Sequence, residues 1–423
     1  MVITIFGMGF VGLTTALGFA EFGHEVYGVE VNAEKLAGLQ AGKLPFVEPG
    51  MDAALTKHVG KDFHAIGYDG LDEALAKSDV VYYCVGTPYG EDGAADLHYL
   101  LGAVKDTLER LPRTGYPVLV VKSTVPPSTA EKEIIPFVEK LGWKVGKDLG
   151  IGNNPEFLRE GHCWDDFMHA DRIVLGASDQ RTEDVLRKVY EGTDFPVFCV
   201  TLNTAEFIKY LSNTLLATLI SFSNEMANTA YAINGIQIKE AFDILRMDKR
   251  WGNASMTSYV YPGCGYGGYC LPKDTNAFYA LSEKVGRPAK MLQQTIRVND
   301  QMAEAIAGRI EDFVKQDKQA KIGVLGLSFK PESDDVRDTP AARILRILAE
   351  DGYTNLLAYD PLAMENFSAK YDLPVQYERA YEDVLQKADH LVILTAWQEF
   401  ADVRERTEKD VLDCRYMLAG QTA

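Results

Sequence analysis

The sequence lacks any uninterrupted apolar run close to the length that a membrane-spanning helix needs, about 18 residues or more. It also lacks a charged leader with a cleavage site, since the apolar residues 2–6 follow directly on the first methionine. We therefore expect a cytoplasmic protein with no membrane partner.

Basic side chains are outnumbered by acidic ones. The chain has 43 Lys and Arg against 61 Asp and Glu, which gives a formal net charge of −18. A protein of this charge repels nucleic acid and anionic lipid, so neither is expected as a partner. An anionic substrate would need local basic residues to offset this field.

Cysteine is sparse, with six residues in a chain of 423, and no two of them form a CxxC pair. Neither a disulfide framework nor a zinc site is expected, no metal is predicted, and a reducing compartment fits this pattern. The chain has no fixed-period repeat or low-complexity tract. Its length suits two or three domains with sizeable cores.

The N-terminus carries a dinucleotide-binding pattern. The apolar run 2–6 leads into a GxGxxG turn and then a helical pattern, and a second apolar run, 25–29, ends at Glu30. The turn comprises Gly7, Gly9, Phe10, Val11 and Gly12. Its glycines let the backbone approach a pyrophosphate at the helix N-terminus, while an acidic residue at this distance binds the ribose hydroxyls. Because Glu30 would repel a 2′-phosphate, the cofactor is predicted to be NAD.

Apolar runs alternate with helical stretches along both halves of the chain. They cover residues 79–85, 117–121, 172–175, 321–327, 355–359 and 390–394. Near-continuous apolar strands between helices are typical of parallel sheets covered on both faces. The fold class is therefore predicted to be α/β, with two Rossmann-like doubly wound parallel-sheet domains. The second lacks GxGxxG and should not hold another dinucleotide in the same way.

A long helix is predicted between the two sheets, over residues 204–233. Apolar residues recur on it every three or four positions: Phe207, Leu211, Leu215, Leu219, Phe222, Met226 and Ala230. A helix of roughly 45 Å, at about 1.5 Å per residue, is more suited to joining two domains and supporting a dimer than to one core.

Cys270 stands between the glycine-rich residues 263–268 and a predicted helix with Pro272 in its first turn. The partial positive charge of a helix N-terminus, with Lys273 nearby, should favour the nucleophilic thiolate. The same segment is also compatible with a glycine turn that ends in an inert buried cysteine.

Two further segments are ambiguous when taken alone. Lys209 and Asn213 are four residues apart and share a helix face, where they could hold one substrate oxygen or simply be solvated. Asn154 could cap a helix that starts at Pro155, with Glu156 in its first turn, which needs no catalysis.

Taken together, the segments resemble the UDP-glucose/GDP-mannose dehydrogenase family over essentially the whole chain. The matching segments are residues 7–12, 45–50, 85–88, 122–126, 154–161, 205–213, 263–274, 326–330 and 334–337. The GYGGYC sequence at residues 265–270, followed by LPKD, is similar to the UDP-glucose branch.

The resemblance implies a four-electron oxidation of the sugar C6 hydroxyl to a carboxylate, with two NAD⁺ used in turn. Lys209 would polarise the C6 oxygen and Asn213 would stabilise its developing charge. Cys270 would add to the aldehyde and form a thioester, which water hydrolyses. Positions matching Thr124, Glu156, Glu160 and Asp274 order that water or transfer protons, and the sequence leaves the base open.

The resemblance also implies binding residues. Beyond the glycine turn and Glu30, the cofactor contacts would be Lys35, Thr87, Thr124, Glu160, Lys273 and Arg337. The nucleotide-sugar UDP-glucose would contact Glu156, Phe157, Leu158, Lys209, Asn213, Arg250, Tyr259, Gly263 and Lys330. Arg250 resembles an arginine that dimers of this family lend to the neighbouring subunit, so a homodimer is expected.

The resemblance divides the chain into three domains. An NAD-binding Rossmann domain would cover residues 1–199, and a central helical dimerisation domain with the cysteine loop would cover 200–300. A Rossmann-like nucleotide-sugar-binding domain would cover 301–423.

Some positions depart from the family pattern. More residues than usual separate Arg250 from Cys270, which indicates an insertion within residues 251–258 and weakens the assignment of Arg250. Cys264 is unusual in the glycine loop, and Tyr416 stands where the family often has asparagine.

Other functions remain open at this point. The same chemistry could act on GDP-mannose or a UDP-N-acetylhexosamine. A two-electron dehydrogenase of the β-hydroxyacid type shares the Lys-x-x-x-Asn helix but needs no cysteine. A non-catalytic NAD-binding scaffold is the third alternative.

Overall fold

The structure, a computed structural model, describes residues 1–90, 94–249 and 255–418. The chain divides into two compact units, Met1–Leu211 and Ser212–Ala423. No helix within the described ranges is both long and apolar enough to cross a membrane.

The first unit is built on an eight-stranded sheet with the order β3-β2-β1-β4-β5-β6-β7-β8. The strands are β1 Val2–Phe6, β2 Glu25–Val29, β3 Phe63–Ile66, β4 Val80–Tyr83, β5 Val118–Val121, β6 Gly150–Asn153, β7 Ile173–Ala177 and β8 Val197–Val200. The strands alternate with helices, as the sequence pattern predicts.

Helices lie between the strands. They are α1 Phe10–Glu21, α2 Ala33–Gln40, α3 Met51–His58, α4 Leu71–Lys77, α5 His98–Arg110, α6 Ile135–Lys140, α7 Cys163–Met168 and α8 Gln180–Val189. Two apolar clusters form the core, and alternate residues of β1 divide between them: Ile3 and Ile5 belong to one and Phe6 to the other. The sheet is thus buried on both faces, which is why its strands are almost wholly apolar.

One junction of this sheet is antiparallel. β6 and β7 pair in opposite directions, with Gly152 opposite Ala177, whereas the other pairs are parallel. Because buried strands of either direction are continuously apolar, the sequence pattern carries no signal for this reversal.

The parallel strands place several polar segments at one edge. The chain leaves β1 at Gly7, β4 at Cys84, β5 at Lys122 and β6 at Asn154, all at carboxyl ends of mutually parallel strands. The strand order reverses between β1 and β4, and such a switch point is where open α/β sheets bind ligands.

The long helix α9 runs from Leu202 to Ile233 and contains the boundary between the two units. It confirms the predicted helix. We call the seven apolar residues of its predicted repeat the α9 stripe, and five of them, Phe207, Leu211, Leu215, Phe222 and Met226, are 40% to 53% exposed. Leu219 and Ala230 instead pack against a small apolar cluster of the second unit.

The second unit contains a five-stranded sheet with the order β11-β10-β9-β12-β13, in which all pairs are parallel. Its strands are β9 Ile322–Leu325, β10 Leu356–Tyr359, β11 Val375–Tyr377, β12 His390–Ile393 and β13 Val411–Asp413. Its helices are α10 Ile238–Arg246, α11 Cys270–Lys284, α12 Lys290–Phe313, α13 Pro340–Glu350, α14 Met364–Lys370, α15 Tyr381–Lys387 and α16 Val403–Arg406. The second Rossmann-like sheet is therefore confirmed.

Candidate active site

The turn between β1 and α1 has the geometry of a dinucleotide-binding loop. Gly7 has φ +90°, and a Cβ on Gly12 would stand 1.8 Å from the Gly7 carbonyl oxygen. A Cβ on Gly9, which caps α1, would meet nothing within 4 Å. The loop therefore needs glycine at two positions for its own shape, and at the third it leaves room over the helix N-terminus for a pyrophosphate.

Glu30 lies directly after β2 and is buried, and its Oε1 accepts a hydrogen bond from the Asn32 backbone N–H at 2.8 Å. This bond holds the carboxylate at the position where a Rossmann fold binds the adenosine ribose. Lys35 is exposed on α2, where its own N–H is capped by Asn32. The chain thus has the two elements that a Rossmann dinucleotide site requires, a glycine turn after the first strand and a carboxylate after the second.

The loops after β4 and β5 are tied together. The Thr87 hydroxyl donates to the Thr124 carbonyl oxygen at 2.8 Å, and the Ser123 hydroxyl donates to the Val85 carbonyl oxygen at 2.6 Å. Both predicted threonines therefore stand at the switch-point edge.

Lys209 and Glu156 form a buried ion pair, with 2.8 Å between Nζ and Oε1 and side chains only 5% and 6% exposed. Burial would raise the pKa of the Glu156 carboxyl, but Lys209, the Leu158 N–H and Lys122 together hold it below its ordinary value. The Lys209 ammonium also lies 5.6 Å from the centre of the Phe157 ring. Lys209 is thus not a solvated surface lysine.

Asn154 does not cap a helix, contrary to that interpretation of its sequence. Residues 154–159 form no helix, and α7 begins only at Cys163. The Asn154 side chain accepts from the Tyr190 hydroxyl at 2.6 Å and donates to the Val174 carbonyl oxygen at 3.0 Å. These partners, distant in sequence, hold the amide inside the first unit.

A second polar cluster lies in the second unit. The Asn213 side-chain amide donates to Asp274 Oδ2 at 2.6 Å, and Lys273 Nζ lies 2.6 Å from Asp274 Oδ1. All three side chains are buried. Asp274 therefore orients Asn213, which is buried rather than solvated.

Cys270 is the first residue of α11 and is exposed, as the sequence predicts for a reactive thiol. The preceding loop leaves little freedom, because a Cβ on Gly267 would meet the Asp338 carbonyl oxygen at 2.3 Å. Arg337, paired with Asp335, lies 4.9 Å from the Tyr269 ring. The alternative interpretation, in which Cys270 is buried, is therefore wrong.

Cys264 differs from Cys270 in its surroundings. It is 2% exposed, and its thiol lies 3.8 Å from the Cys414 carbonyl oxygen. A hydrogen bond with the Cys414 thiol lowers the pKa of Cys264. None of the six cysteines, all of which are in described segments, forms a disulfide.

The remaining predicted residues belong to several separate segments of the chain. Gly263 donates its N–H to Asn224 Oδ1 at 2.7 Å, while Tyr259 ends a short 3₁₀ helix, Ser255–Tyr259. Lys330 follows β9, with its ammonium 5.5 Å from the Phe329 ring. Leu158 and Glu160 are half-buried in the segment after β6. Arg250 lies outside the described residues, as do residues 251–254 of the predicted insertion.

Sequence reasoning missed two charged residues near this chemistry. Lys122 is buried after β5, with Nζ 3.2 Å from Asn154 Oδ1. Glu206 accepts the Ser128 and Ala130 N–H groups at 2.7 and 2.9 Å, and burial raises its pKa to about 7. Lys122 could have been recognised in the sequence because it is a lysine directly after a fully apolar strand.

The described residues show no group of three or more His, Cys, Asp or Glu side chains that could hold a metal ion. What they do contain is a dinucleotide loop, buried lysine and amide groups and an exposed thiol at a helix N-terminus. These features define an NAD-dependent dehydrogenase with a candidate nucleophilic cysteine.

Comparison with known proteins narrows this class. The chain matches the UDP-glucose/GDP-mannose dehydrogenase family in its NAD binding domain over residues 1–194, its central domain over 203–301 and its UDP binding domain over 323–420. The chain belongs to this family, and NAD is its cofactor.

Relatives named for different substrates resemble the chain over most of its length. UDP-glucose 6-dehydrogenase from Rhizobium meliloti is 36% identical, over 95% of this chain and 90% of the relative. GDP-mannose 6-dehydrogenase from Pseudomonas aeruginosa is 35% identical, over 84% and 80%. The structure of a UDP-glucose dehydrogenase from Pyrobaculum islandicum is similar with a TM-score of 0.90 and 35% identity, covering 98% of this chain and 94% of that chain.

Proposed function

We propose that this protein oxidises UDP-glucose at C6 to UDP-glucuronate, removing four electrons from each sugar. The observation that carries the proposal is an exposed thiol at the first residue of α11, which a two-electron dehydrogenase of the β-hydroxyacid type would not need. NAD⁺, bound twice in succession, supplies the oxidising power for both stages.

The first stage converts the C6 hydroxyl to an aldehyde, with the C6 hydride going to NAD⁺ and the hydroxyl proton to one of the candidate carboxylate bases, Glu156, Glu160 or Asp274. In this proposal the Lys209 ammonium donates to the C6 oxygen, and Asn213 donates to the same oxygen as negative charge develops on it. Burial strengthens these interactions because little water competes with them. Asp274 keeps the Asn213 amide oriented.

The second stage passes through Cys270. Its thiolate adds to the aldehyde carbon and forms a thiohemiacetal, whose oxidation leaves a thioester. Water then attacks the thioester carbon, the C–S bond breaks, and the thiolate is released with the carboxylate product. Thr124, Glu156, Glu160 and Asp274 are the candidates for ordering this water or accepting its proton.

We assign binding roles to the other predicted positions. The cofactor would contact the glycine turn, Glu30, Lys35, Thr87, Thr124, Glu160, Lys273 and Arg337. The nucleotide-sugar would contact Glu156, Phe157, Leu158, Lys209, Asn213, Arg250, Tyr259, Gly263 and Lys330.

The proposed domains are the NAD-binding domain at residues 1–199, the central helical domain at 200–300 and the nucleotide-sugar-binding domain at 301–423.

UDP-glucose is proposed over other nucleotide-sugars because the GYGGYC loop is similar to that branch and several full-length relatives carry that name. The GDP-mannose relative has nearly the same identity, so GDP-mannose is the second candidate.

The proposed function predicts that two NADH form for each UDP-glucose consumed, with UDP-glucuronate as the product. Absorbance at the NADH band and chromatography of the nucleotide-sugars measure both quantities. UDP-galactose, UDP-N-acetyl sugars and GDP-mannose serve as comparison substrates. A ratio of one, with an aldehyde or ketone product, would support a two-electron dehydrogenase, and a preference for GDP-mannose would overturn the substrate assignment.

We also propose that the protein forms a homodimer through the α9 stripe, since large apolar side chains exposed along one helix are typical of interaction surfaces. Leu215→Glu should then shift the sedimenting species from dimer to monomer. Met291→Glu, at an exposed apolar residue on α12, should not. A wild-type monomer would refute this proposal.

We also propose the cytoplasm as the compartment, because the sparse, unpaired cysteines fit a reducing environment.

A further inference from the structure

A second buried lysine lies close enough to the Lys209–Glu156 pair to act on the charge of Glu156. Lys122 is 4% exposed, and its ammonium lies 3.2 Å from the side-chain oxygen of Asn154 and 3.4 Å from the Asn154 carbonyl oxygen. Burying an ammonium this deeply costs folding free energy unless the charge is paired and hydrogen-bonded.

We propose that Lys122 is a positioning residue, which holds the irregular segment of residues 154–158 and keeps Glu156 ionised as the partner of Lys209. This inference rests on the proposed function, because it assigns Lys122 a part in the first oxidation through Glu156 and Lys209.

The hydrogen bonds support the positioning part. Lys122 directly follows β5, and Asn154 directly follows the neighbouring strand β6. The Lys122 ammonium donates to the carbonyl and side-chain oxygens of Asn154. The Tyr190 hydroxyl, which comes from another part of the chain, also donates to Asn154 Oδ1. Two residues further on, Glu156 meets Lys209 and accepts the Leu158 N–H at 2.6 Å.

The charges support the electrostatic part. The buried cluster holds two ammonium groups, Lys122 and Lys209, against one carboxylate, Glu156. It thus has an excess of one positive charge when all three are ionised, within a chain of net charge −18. Such an excess favours the negative oxygen that develops as the C6 hydroxyl is oxidised.

The other titratable groups facing Lys122 do not alter this balance at neutral pH. Burial lowers the pKa of Lys122 to about 8, Cys84 and Glu156 act to raise it, and Lys209 acts to lower it. Burial raises the pKa of the Cys84 thiol to about 12, and it also raises the pKa of the Tyr190 hydroxyl. Both groups are therefore neutral. Below about pH 8 the ammonium form of Lys122 therefore predominates.

Removing the charge has a defined consequence. Without Lys122, Glu156 loses a nearby cation and its pKa should rise, while Lys209 loses a nearby like charge and its pKa should also rise. The acidic limb of the pH profile, set by Glu156, and the basic limb, set by Lys209, should therefore both move to higher pH. A residue that merely supported the fold would lower activity without moving the profile.

The test compares three variants. Lys122→Met removes the charge and the donor, Lys122→Gln removes the charge but can still donate to Asn154, and Tyr190→Phe removes the other donor to Asn154 without changing charge. For both Lys122 variants we expect kcat for UDP-glucose to fall about tenfold or more. The KM values should change little, and the pH profile of kcat should move upward by about one unit.

A readout without substrate separates this inference from the proposed function. Carboxyl ¹³C resonances of labelled glutamate report ionisation, and the Glu156 signal is identified by its loss in Glu156→Gln. It should titrate at higher pH in Lys122→Gln than in wild type or Tyr190→Phe. If Lys122→Met does not fold, Lys122→Gln carries the comparison.

Two results would overturn the inference. One is an unchanged Glu156 titration and pH profile in Lys122→Gln. The other is an equal upward shift in Tyr190→Phe, which would make the effect one of structure rather than charge. If wild type oxidised no nucleotide-sugar, the proposed function would fail, while the titration would still test Lys122.

Discussion

Replacing Cys270 with serine is expected to abolish formation of UDP-glucuronate, with a loss of more than about 10³-fold in turnover. A serine hydroxyl is not ionised near neutral pH, so it is a far poorer nucleophile than the thiolate, and its ester is hydrolysed more slowly. Quantifying the acid product by chromatography at saturating NAD⁺ measures the effect. NAD binding should be retained, because the thiol is not part of the glycine turn.

Cys264→Ser is the matched control, since the two residues lie in the same loop. Cys264 is buried, and a serine hydroxyl there can still donate to the Cys414 carbonyl oxygen, so most activity should remain. Near-wild-type acid production by Cys270→Ser would contradict the nucleophile assignment. So would loss of activity in a folded Cys264→Ser variant alone.

Alkylation checks the same assignment independently. Burial raises the pKa of Cys84 to about 12 and that of Cys199 to about 11, which leaves their thiols protonated at neutral pH. Cys270, exposed at a helix N-terminus, should therefore be alkylated first, and UDP-glucose should protect it.

Lys209→Met should lower the rate of the first oxidation by about 10² to 10⁴-fold. The variant loses the ammonium proposed to polarise the C6 oxygen, and it leaves Glu156 buried without its ion-pair partner. Single-turnover formation of NADH from UDP-glucose measures this step. The same variant should oxidise the C6 aldehyde with a smaller defect, whereas Cys270→Ser should be most impaired on the aldehyde.

Lys77→Met provides a control of the same chemistry. Lys77 pairs with Glu73 at 2.7 Å, but both side chains are well exposed, so solvent screens the pair and its loss should leave activity unchanged. If Lys209→Met were equally impaired on UDP-glucose and on its C6 aldehyde, the specific role of Lys209 in the first oxidation would be wrong.

Local patterns were sufficient for much of the fold. The glycine turn, the strands β1, β2, β9 and β12 and the helix α9 follow from periodicity and from residues adjacent in the chain. Backbone conformation there is decided by near neighbours, so one sequence carries the signal. The same holds for Cys270 at the start of α11.

Contacts between distant segments were not predictable in this way. Asn154 has the sequence of a helix cap, yet its amide is occupied by Tyr190 and Val174, 36 and 20 residues away. The antiparallel β6–β7 junction also has no local marker, because both strand directions bury the same apolar side chains.

The sequence by itself thus determined the α/β class, the NAD turn and the position of Cys270 at a helix start, since each depends on patterns that are continuous along the chain. Only the tertiary structure decided that Lys209 and Asn213 are buried, that Glu156 and Asp274 are their respective partners, and that Lys122 binds the Asn154 side chain. Spacing along a helix places two residues on one face. Which face is buried, and against which charges, depends on segments that meet only when the chain has folded.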